Sequence, residues 1–363
     1  MMTVTHIMDK LLYLGHSLHA KTQSTQFLVS LLKERHDVEM FGFDPYKADF
    51  KSLEILKGKR FRILVCFQVM LPPAILKKYI DYEKAVLFPM YDGIPGPDDM
   101  QWLDYREFNI ISFSKTLHDS LRARGFSSHH IQYFPEPCSS FDWGDTRSAF
   151  FWNRRKAISL PLVLKLVSRL DVQRIHVHKA LDPSEKFVAP PARTDKTLTY
   201  STWFESKQQM IETMGKAAIY IQPRAKEGMG MGFLEAMAMG RCVIAPDNPT
   251  MNEYITHGET GFLYDLRNPA ALPPADIRAM QRRAYEFMRQ GHEVWLRDKY
   301  KILEWIASAP APDNQAMGRH SWRKRMFRKK IKFMGLTLMK IEFHGAVKKY
   351  YLFDFIPIFK KPV

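Results

Sequence analysis

Apolar residues along this chain come in short runs separated by segments of helical period, and the alternation persists for about 310 residues. The run Leu11 to Leu14 predicts a strand, Gly15 to Thr22 a loop, and the following stretch a helix with Phe27, Leu28, Leu31 and Leu32 on one face. A strand is predicted at Val38 to Phe43, and further ones at Ile63 to Phe67, Ala85 to Phe88 and Ile110 to Phe113. Between these lie helical stretches such as Lys115 to Arg124. Near-continuous apolar runs of this length, each followed by a helix, predict a parallel sheet covered on both faces.

Between Pro135 and Thr146 two prolines, a serine pair and a glycine interrupt the pattern and predict a linker. The alternation then restarts. Strands are predicted at Ala149 to Trp152, Arg174 to His178, Ala218 to Gln222 and Val243 to Ala245, with helices at Leu160 to Leu170 and Glu205 to Lys216. A long helical pattern from Asp276 to Ile306 stops at Ala309-Pro-Ala-Pro312. The expected organisation is an α/β domain over 1–138, a linker over 139–148, a second α/β domain over 149–275, helices over 276–312 and a tail over 313–363.

With 363 residues, 46% of them hydrophobic, two cored domains are affordable and a disordered chain is not expected. Cys66, Cys138 and Cys242 are odd in number and far apart, which describes neither a disulfide framework nor zinc-ligand spacing and favours a reducing compartment. Asp9 and several histidines interrupt residues 1–23, and Lys165 breaks Leu160 to Val167, so neither a signal peptide nor a membrane span is predicted. The net charge of +16 is uneven: residues 317–363 hold 13 Lys/Arg against Glu342 and Asp354. A nearly balanced body with a basic tail does not describe a general nucleic-acid-binding domain.

The densest chemistry lies in Ala217-Ala-Ile-Tyr-Ile-Gln-Pro-Arg-Ala-Lys-Glu227-Gly-Met-Gly-Met-Gly-Phe-Leu-Glu235-Ala-Met-Ala-Met-Gly240. The order is a buried strand, a glycine-rich turn and a helix. Gly228, Gly230 and Gly232 leave the backbone open at the helix start, where unpaired amides and the helix dipole favour a phosphate. Glu227 precedes the helix and Glu235 lies two turns inside it, roughly 10 Å apart along the axis at ~1.5 Å per residue. That spacing suits a nucleotide sugar: Glu235 can accept from a ribose diol and Glu227 from sugar hydroxyls. Two glutamates and three glycines alone would equally describe a turn with solvated charges.

The longer pattern is more specific. Glu-Gly-x-Gly-x-x-x-Leu-Glu-Ala-Met-Ala-x-Gly, followed by Cys242-Val-Ile-Ala, Asn252-Glu-Tyr-Ile and Gly258-Glu-Thr-Gly-Phe-Leu-Tyr, resembles the donor-binding core of glycosyltransferase family 4. Ile110-Ile-Ser-Phe-Ser-Lys-Thr-Leu-His-Asp-Ser-Leu-Arg-Ala-Arg-Gly125 and Arg35-His-Asp-Val are similar to segments of its N-terminal domain. The resemblance implies a GT-B fold, two Rossmann-like domains facing a cleft, with the acceptor on the N-terminal and the donor on the C-terminal side. It also implies transfer with retained anomeric configuration and without a metal or other cofactor, the protein chiefly stabilising the leaving diphosphate. Met229, Met231 and Leu234 belong to the same donor-binding stretch, and Gly15, with His16 to His19 after it, borders the cleft by that resemblance.

Two departures from the family pattern bear on catalysis. The usual Arg followed five residues on by Lys is replaced by Arg154, Arg155 and Lys156 in a row, leaving Arg154 or Arg155 to meet the diphosphate. Where many relatives have a histidine, the chain has Tyr91 before Asp92 and Gly93, which either takes that place or simply builds a turn. His176 and His178 would share one strand face, but no third metal ligand is suggested; His129 and His130 are expected in an exposed loop, and Asp98-Asp99 in a loop or helix cap.

From Trp322 to Lys340 basic residues are interleaved with Trp322, Met326, Phe327, Ile331, Phe333 and Met334. Such a segment suits an anionic membrane surface, and the partner expected of residues 319–361 is that surface rather than nucleic acid. The expected function is transfer of a sugar from a nucleotide-sugar donor to a lipid-linked or oligosaccharide acceptor in bacterial surface-polysaccharide assembly. The location expected is cytoplasmic, on the inner face of the membrane. The alternatives are a soluble transferase acting on storage or protein-linked glycans, and a non-catalytic basic binding protein.

Overall fold

The computed structural model describes residues 8–19, 24–45, 47, 49–94, 100–139, 142–182 and 185–308, and in the tail the backbone of 327–333, 336–344, 347–352 and 356–362. The chain divides into two compact units, Met1–Pro312 and Asp313–Val363.

The first unit holds two parallel sheets of six strands. Strands β1 (Asp9–His16), β2 (His36–Phe43), β3 (Arg60–Phe67), β4 (Asp81–Phe88), β5 (Asn109–Ser112) and β6 (Ser128–His130) lie in the order β2-β1-β3-β4-β5-β6. Helices α1 (Gln26–Lys33), α2 (Pro73–Tyr79) and α3 (Lys115–Ala123) connect some of them. The second sheet has the order β12-β11-β10-β7-β8-β9, from β7 (Asp145–Asn153), β8 (Arg174–Lys179), β9 (Thr197–Ser201), β10 (Ala217–Ile221), β11 (Cys242–Pro246) and β12 (Gly261–Tyr264). Its helices are α4 (Leu160–Leu166), α5 (Lys207–Gly215) and α6 (Met231–Ala238), followed by α7 (Ile277–Asp298) and α8 (Lys301–Ala307). This is the α/β architecture expected, with two sheets that each reverse strand order once. The reversals fall between β1 and β3 and between β7 and β10, and such points open a crevice at the carboxyl ends of the strands.

One apolar cluster runs through both sheets, from Leu11, Phe88 and Phe113 to Tyr220, Leu234, Val243 and Met288. Two others cover the outer faces, around Leu64 and Trp102 in the first sheet and around Ile219 and Val163 in the second. The near-continuous apolar runs of the sequence follow from this burial on both faces.

Several elements differ from expectation. β7 begins at Asp145, inside the predicted linker, because the buried Arg241 guanidinium donates to the carbonyls of Asp142, Met239, Gly215 and Ala217 and fastens that segment to the second sheet. The helical pattern predicted through Ile306 breaks at Lys299 and Tyr300, where bonding turns from Lys299 N to Trp295 O into Ile302 N to Lys299 O. The break lets α8 bury Ile302, Leu303 and Ile306. His129 and His130 are not exposed loop residues: they sit half-buried on β6, and His129 stacks on Trp305 of α8 at 4.7 Å.

A carboxylate from the second sheet's side ties the two halves together. Glu253, in a short turn of 3-10 helix after β11, accepts from Ser114 Oγ (2.9 Å), Lys115 N (2.8 Å) and Thr116 N (3.0 Å) at the start of α3. Its own carbonyl accepts from Gln132 Nε2 at 2.9 Å. The adjacent Tyr254 hydroxyl donates to Tyr133 O and accepts from Tyr133 N. Amides at a helix start need acceptors and the dipole there favours an anion, so Glu253 completes what Ser114, whose Oγ accepts from Leu117 N, begins.

The second unit is an antiparallel sheet in the order β13 (Phe327–Phe333), β14 (Leu336–His344), β15 (Val347–Leu352), β16 (Ile356–Pro362). Among the described residues no helix is long and apolar enough to cross a membrane.

Replacing Glu253 by Ala leaves three donors at the α3 start without their acceptor and is expected to cost about 1–2 kcal/mol. Glu253→Gln, keeping one acceptor oxygen, should fall in between. Urea unfolding of the three proteins checks this, and equal midpoints would remove Glu253 as the tie.

Candidate active site

Both strand-order reversals feed one site. β7 and β10 are paired through Phe151 and Ile221, so the residues just beyond them, Arg154 on one side and Gln222 to Glu227 on the other, emerge side by side. On the first sheet, β1 and β3 pair through Gly15 and Phe67, bringing His16 and Gln68 to the same edge, while β4 leads into the turn Met90 to Gly93.

The loop between β10 and α6 is braced before any ligand arrives. Glu227 N donates to Pro249 O, Asn248 Nδ2 to Ala225 O, and Thr250 Oγ1 to Met229 O. Gly230 stands at the helix start with φ +78°, where a Cβ would lie 2.0 Å from the Phe233 ring, so the turn into α6 requires glycine. No side chain caps α6, which leaves its first amides to a ligand or to water. Met231 and Gly232 stay accessible at this start, whereas Met229 is buried and the Leu234 side chain lies in the core, so these two can offer a ligand only their main chain.

The Glu227 carboxylate is 13% exposed. It accepts from Gln222 Nε2 at 2.7 Å and from Arg224 Nη1 at 3.4 Å. Burial pushes its carboxyl up to about 7; Arg224, Gln222 and Arg154 oppose that rise and Asp92 adds to it. Tyr220, buried on β10, has its phenol raised first by burial and also by both Glu227 and Glu235, so its hydroxyl lies within electrostatic reach of the two carboxylates. Glu235, half-buried on α6, acts on the Tyr133 phenol as well. Tyr220 was not singled out in the sequence because a tyrosine in a buried strand reads as core.

Arg154 and Arg155 divide differently. Both pair with Asp182, Arg154 through Nε and Nη2 onto Oδ1 and Arg155 through Nε onto Oδ2. Arg154 also acts on Glu227 and Tyr220, which places it at the site, while no such effect of Arg155 accompanies it. Lys156 is exposed, its amide bound by Glu185. Asp182 is the orienting partner that sequence spacing could not reveal, 28 residues from Arg154.

Across the cleft, Tyr91 and Asp92 occupy the turn closed by Gly93 N to Met90 O. Asp92 Oδ2 is 2.8 Å from Arg224 Nη1, and the Lys226 ammonium lies 5.7 Å from the Tyr91 ring centre. Gly228 fits directly beneath this turn: a Cβ there would stand 2.6 Å from Asp92 Oδ1 and from Met90 Cβ. Burial holds the Tyr91 phenol above its ordinary range, with Glu253 adding to it, which leaves Tyr91 a hydrogen-bond donor. Gly15, the penultimate residue of β1, is buried near the carboxyl end of the first sheet. Nearby His19 bonds Ser24 Oγ through Nδ1 (2.9 Å) and Gln68 Oε1 through Nε2 (2.8 Å), and burial lowers its proton affinity. Gln68 holds φ +62°, costly for a residue with a Cβ, and its position at the cleft edge is a feature no sequence pattern announced.

His176 and His178 do share a strand face, both bonding Ser201 Oγ. Among the described residues no three His, Cys, Asp or Glu side chains are grouped as metal ligands. Asp98 and Asp99 lie outside the described residues.

Residues 198–284 match the family Glycosyl transferases group 1. Sucrose-phosphate synthase from Thermosynechococcus elongatus is similar in structure, with a TM-score of 0.56 at 12% identity over 82% of this chain and 98% of that one. HepE of Anabaena, solved with UDP, gives 0.51 at 12% identity over 82% and 100%. A glycosyltransferase from Rickettsia africae gives 0.50 at 13% identity over 84% and 100%. No curated protein matches the chain in sequence. The fold is GT-B, and the matched domain together with that fold supports a GT-B glycosyltransferase.

The Glu227 carboxyl, raised to about 7, binds a proton more tightly in the folded chain than unfolded. Its stabilising contribution is full below about pH 4.5 and is lost as pH rises through about 7, up to about 3 kcal/mol in all. Glu227→Gln should therefore gain stability relative to the wild type between these pH values. Paired denaturant titrations at pH 5 and 8 check it; a constant difference would contradict the raised carboxyl.

Proposed function

We propose that the chain is a retaining, metal-independent glycosyltransferase that moves a sugar from a nucleotide-sugar donor to a lipid-linked or saccharide acceptor in bacterial surface-polysaccharide synthesis. One observation carries the donor reading: the uncapped start of α6, Glu227, Tyr220 and Arg154 meet at the strand-order reversal of the sheet whose residues 198–284 match the transferase family. Amides at that helix start suit a leaving diphosphate, and Arg154, oriented by Asp182, suits the charge that develops on it. Glu227 suits the sugar hydroxyls, and Glu235, from within α6, the ribose. Tyr91 faces from the acceptor side, and Gly15, at the carboxyl end of β1, leaves room for the donor at the cleft.

In this mechanism the chain's residues bind and orient. The carboxyl of Glu227 is shared with Gln222 and Arg224, and a sugar hydroxyl would add to those partners. Retention follows if the acceptor attacks from the face the diphosphate leaves. The basic composition of residues 319–361 supports attachment to the anionic inner surface of the cytoplasmic membrane, on the order of 1 kcal/mol per Lys or Arg near it.

A thermal-shift panel of nucleotide sugars on the full chain tests the donor: a ligand at a hundred times its dissociation constant should stabilise the protein by about 2.7 kcal/mol. Glu235→Ala should weaken the responding ligand at least tenfold, and absence of any response would overturn the reading. NMR of the product's anomeric proton and turnover in excess chelator test retention and metal independence. For the membrane, removal of residues 317–363 should abolish co-flotation with vesicles containing anionic lipid; undiminished flotation would move the acceptor reading to soluble glycans.

A further inference from the structure

The Met90 to Asp92 turn and the Arg224 to Gly228 loop touch at alternate positions: Asp92 on Arg224, Tyr91 under Lys226, and Met90 with Asp92 on Gly228. One segment belongs to the first sheet and the other to the second. At the centre of this contact a single guanidinium nitrogen serves two carboxylates, 2.8 Å from Asp92 Oδ2 and 3.4 Å from Glu227 Oε2. The three side chains are 22%, 10% and 13% exposed. Two carboxylates around one cation, mostly removed from water, are costly to hold unless each partner stays in place. Arg224 sits closer to Asp92, so the strength of its hold on Glu227 depends on where the first sheet's turn stands.

We propose that Arg224 is a positioning residue that couples Glu227 to closure of the cleft. With the turn docked on Gly228, as here, Asp92 draws the guanidinium toward itself and holds it at 3.4 Å from Glu227, a weak bond that a ligand hydroxyl can replace while Gln222 keeps the other oxygen. When the turn withdraws, Arg224 closes on Glu227 and occupies that direction. Glu227 is thus available only in the closed arrangement, where acceptor and donor sides meet. The inference rests on Glu227 as a donor-binding group.

The groups acting on Glu227 are known from each element around it: Arg224 on its own loop, Asp92 from the first sheet's turn, Arg154 beyond β7, and Gln222 beyond β10, with Tyr220 on β10 beside it. Arg224 and Asp92 act on it in opposite senses. A rigid scaffold would give the same opposition with the two effects simply adding, so what separates the two is whether removal of Asp92 still matters once Arg224 is gone.

The test is isotope-edited infrared titration of the full-length protein carrying 13C-labelled glutamate, with Glu227→Gln subtracted to isolate the one carboxyl. Arg224→Gln should move its midpoint up and Asp92→Asn should move it down, each by about one pH unit, and Arg224→Lys should restore part of the first shift. In the double variant the two changes should fail to add, since Asp92 acts partly through Arg224. Movement in the same direction, or none in either variant, overturns the coupling. Nucleotide-sugar hydrolysis followed over the same pH range should show matching shifts. If no nucleotide sugar is bound or hydrolysed by the unaltered protein, the donor reading fails, while the infrared titration still decides the coupling by itself.

Discussion

The amides that open α3 need acceptors, and the chain supplies them from the other sheet. Glu253 lies 137 to 139 residues from the groups it binds, yet its carboxylate takes three of their hydrogens. Tyr254 beside it clasps both main-chain polar groups of Tyr133. Helix-start amides are fixed in direction by the helix, so a carboxylate that satisfies them is fixed too. Together with the apolar cluster that runs through both sheets, this contact sets the mutual placement of the sheets within residues 1–312 and of what is assembled between them.

With the sheets so held, the two strand-order reversals come to one place. The second contributes Arg154, Gln222 and Glu227 from paired strand ends, and the first contributes the turn with Tyr91 and Asp92. Gly228 is small because that turn rests on it. Burial, which makes the apolar core favourable, is also what raises the Glu227 carboxyl, and the nearby cations compensate only in part. A carboxyl poised near neutrality is thereby a product of domain contact as much as of local sequence. The glycosyltransferase character rests on the matched 198–284 domain and the GT-B fold.

Much of the architecture was legible because it is local. A parallel strand buried on both faces must be apolar along its length, so the runs at Leu11, Ile63, Ala85 and Val243 announced themselves. The glycine-rich turn and the pair Glu227 and Glu235, with seven residues between them, lie in one contiguous stretch. His129 read as exposed because Trp305, which covers it, comes 176 residues later by numbering. Arg154 and Arg155 are not distinguishable in the sequence; only the fold brings Arg154 to act on Glu227 and Tyr220. In the sequence Arg224 reads as a loop charge and Tyr220 as core.

By itself, then, the sequence determined the elements that hydrophobic period and helix-start chemistry specify within about 20 consecutive residues: the alternation of strand and helix, the glycine-rich turn before α6, and the uneven charge. Tertiary structure alone decided which charges share a partner: Asp182 between two arginines, Arg224 between Asp92 and Glu227, Glu253 on a distant helix. The physical reason is range. Periodicity and capping act between neighbours along the chain, whereas ion pairing and desolvation act between neighbours in space, and these become neighbours only once the core has closed.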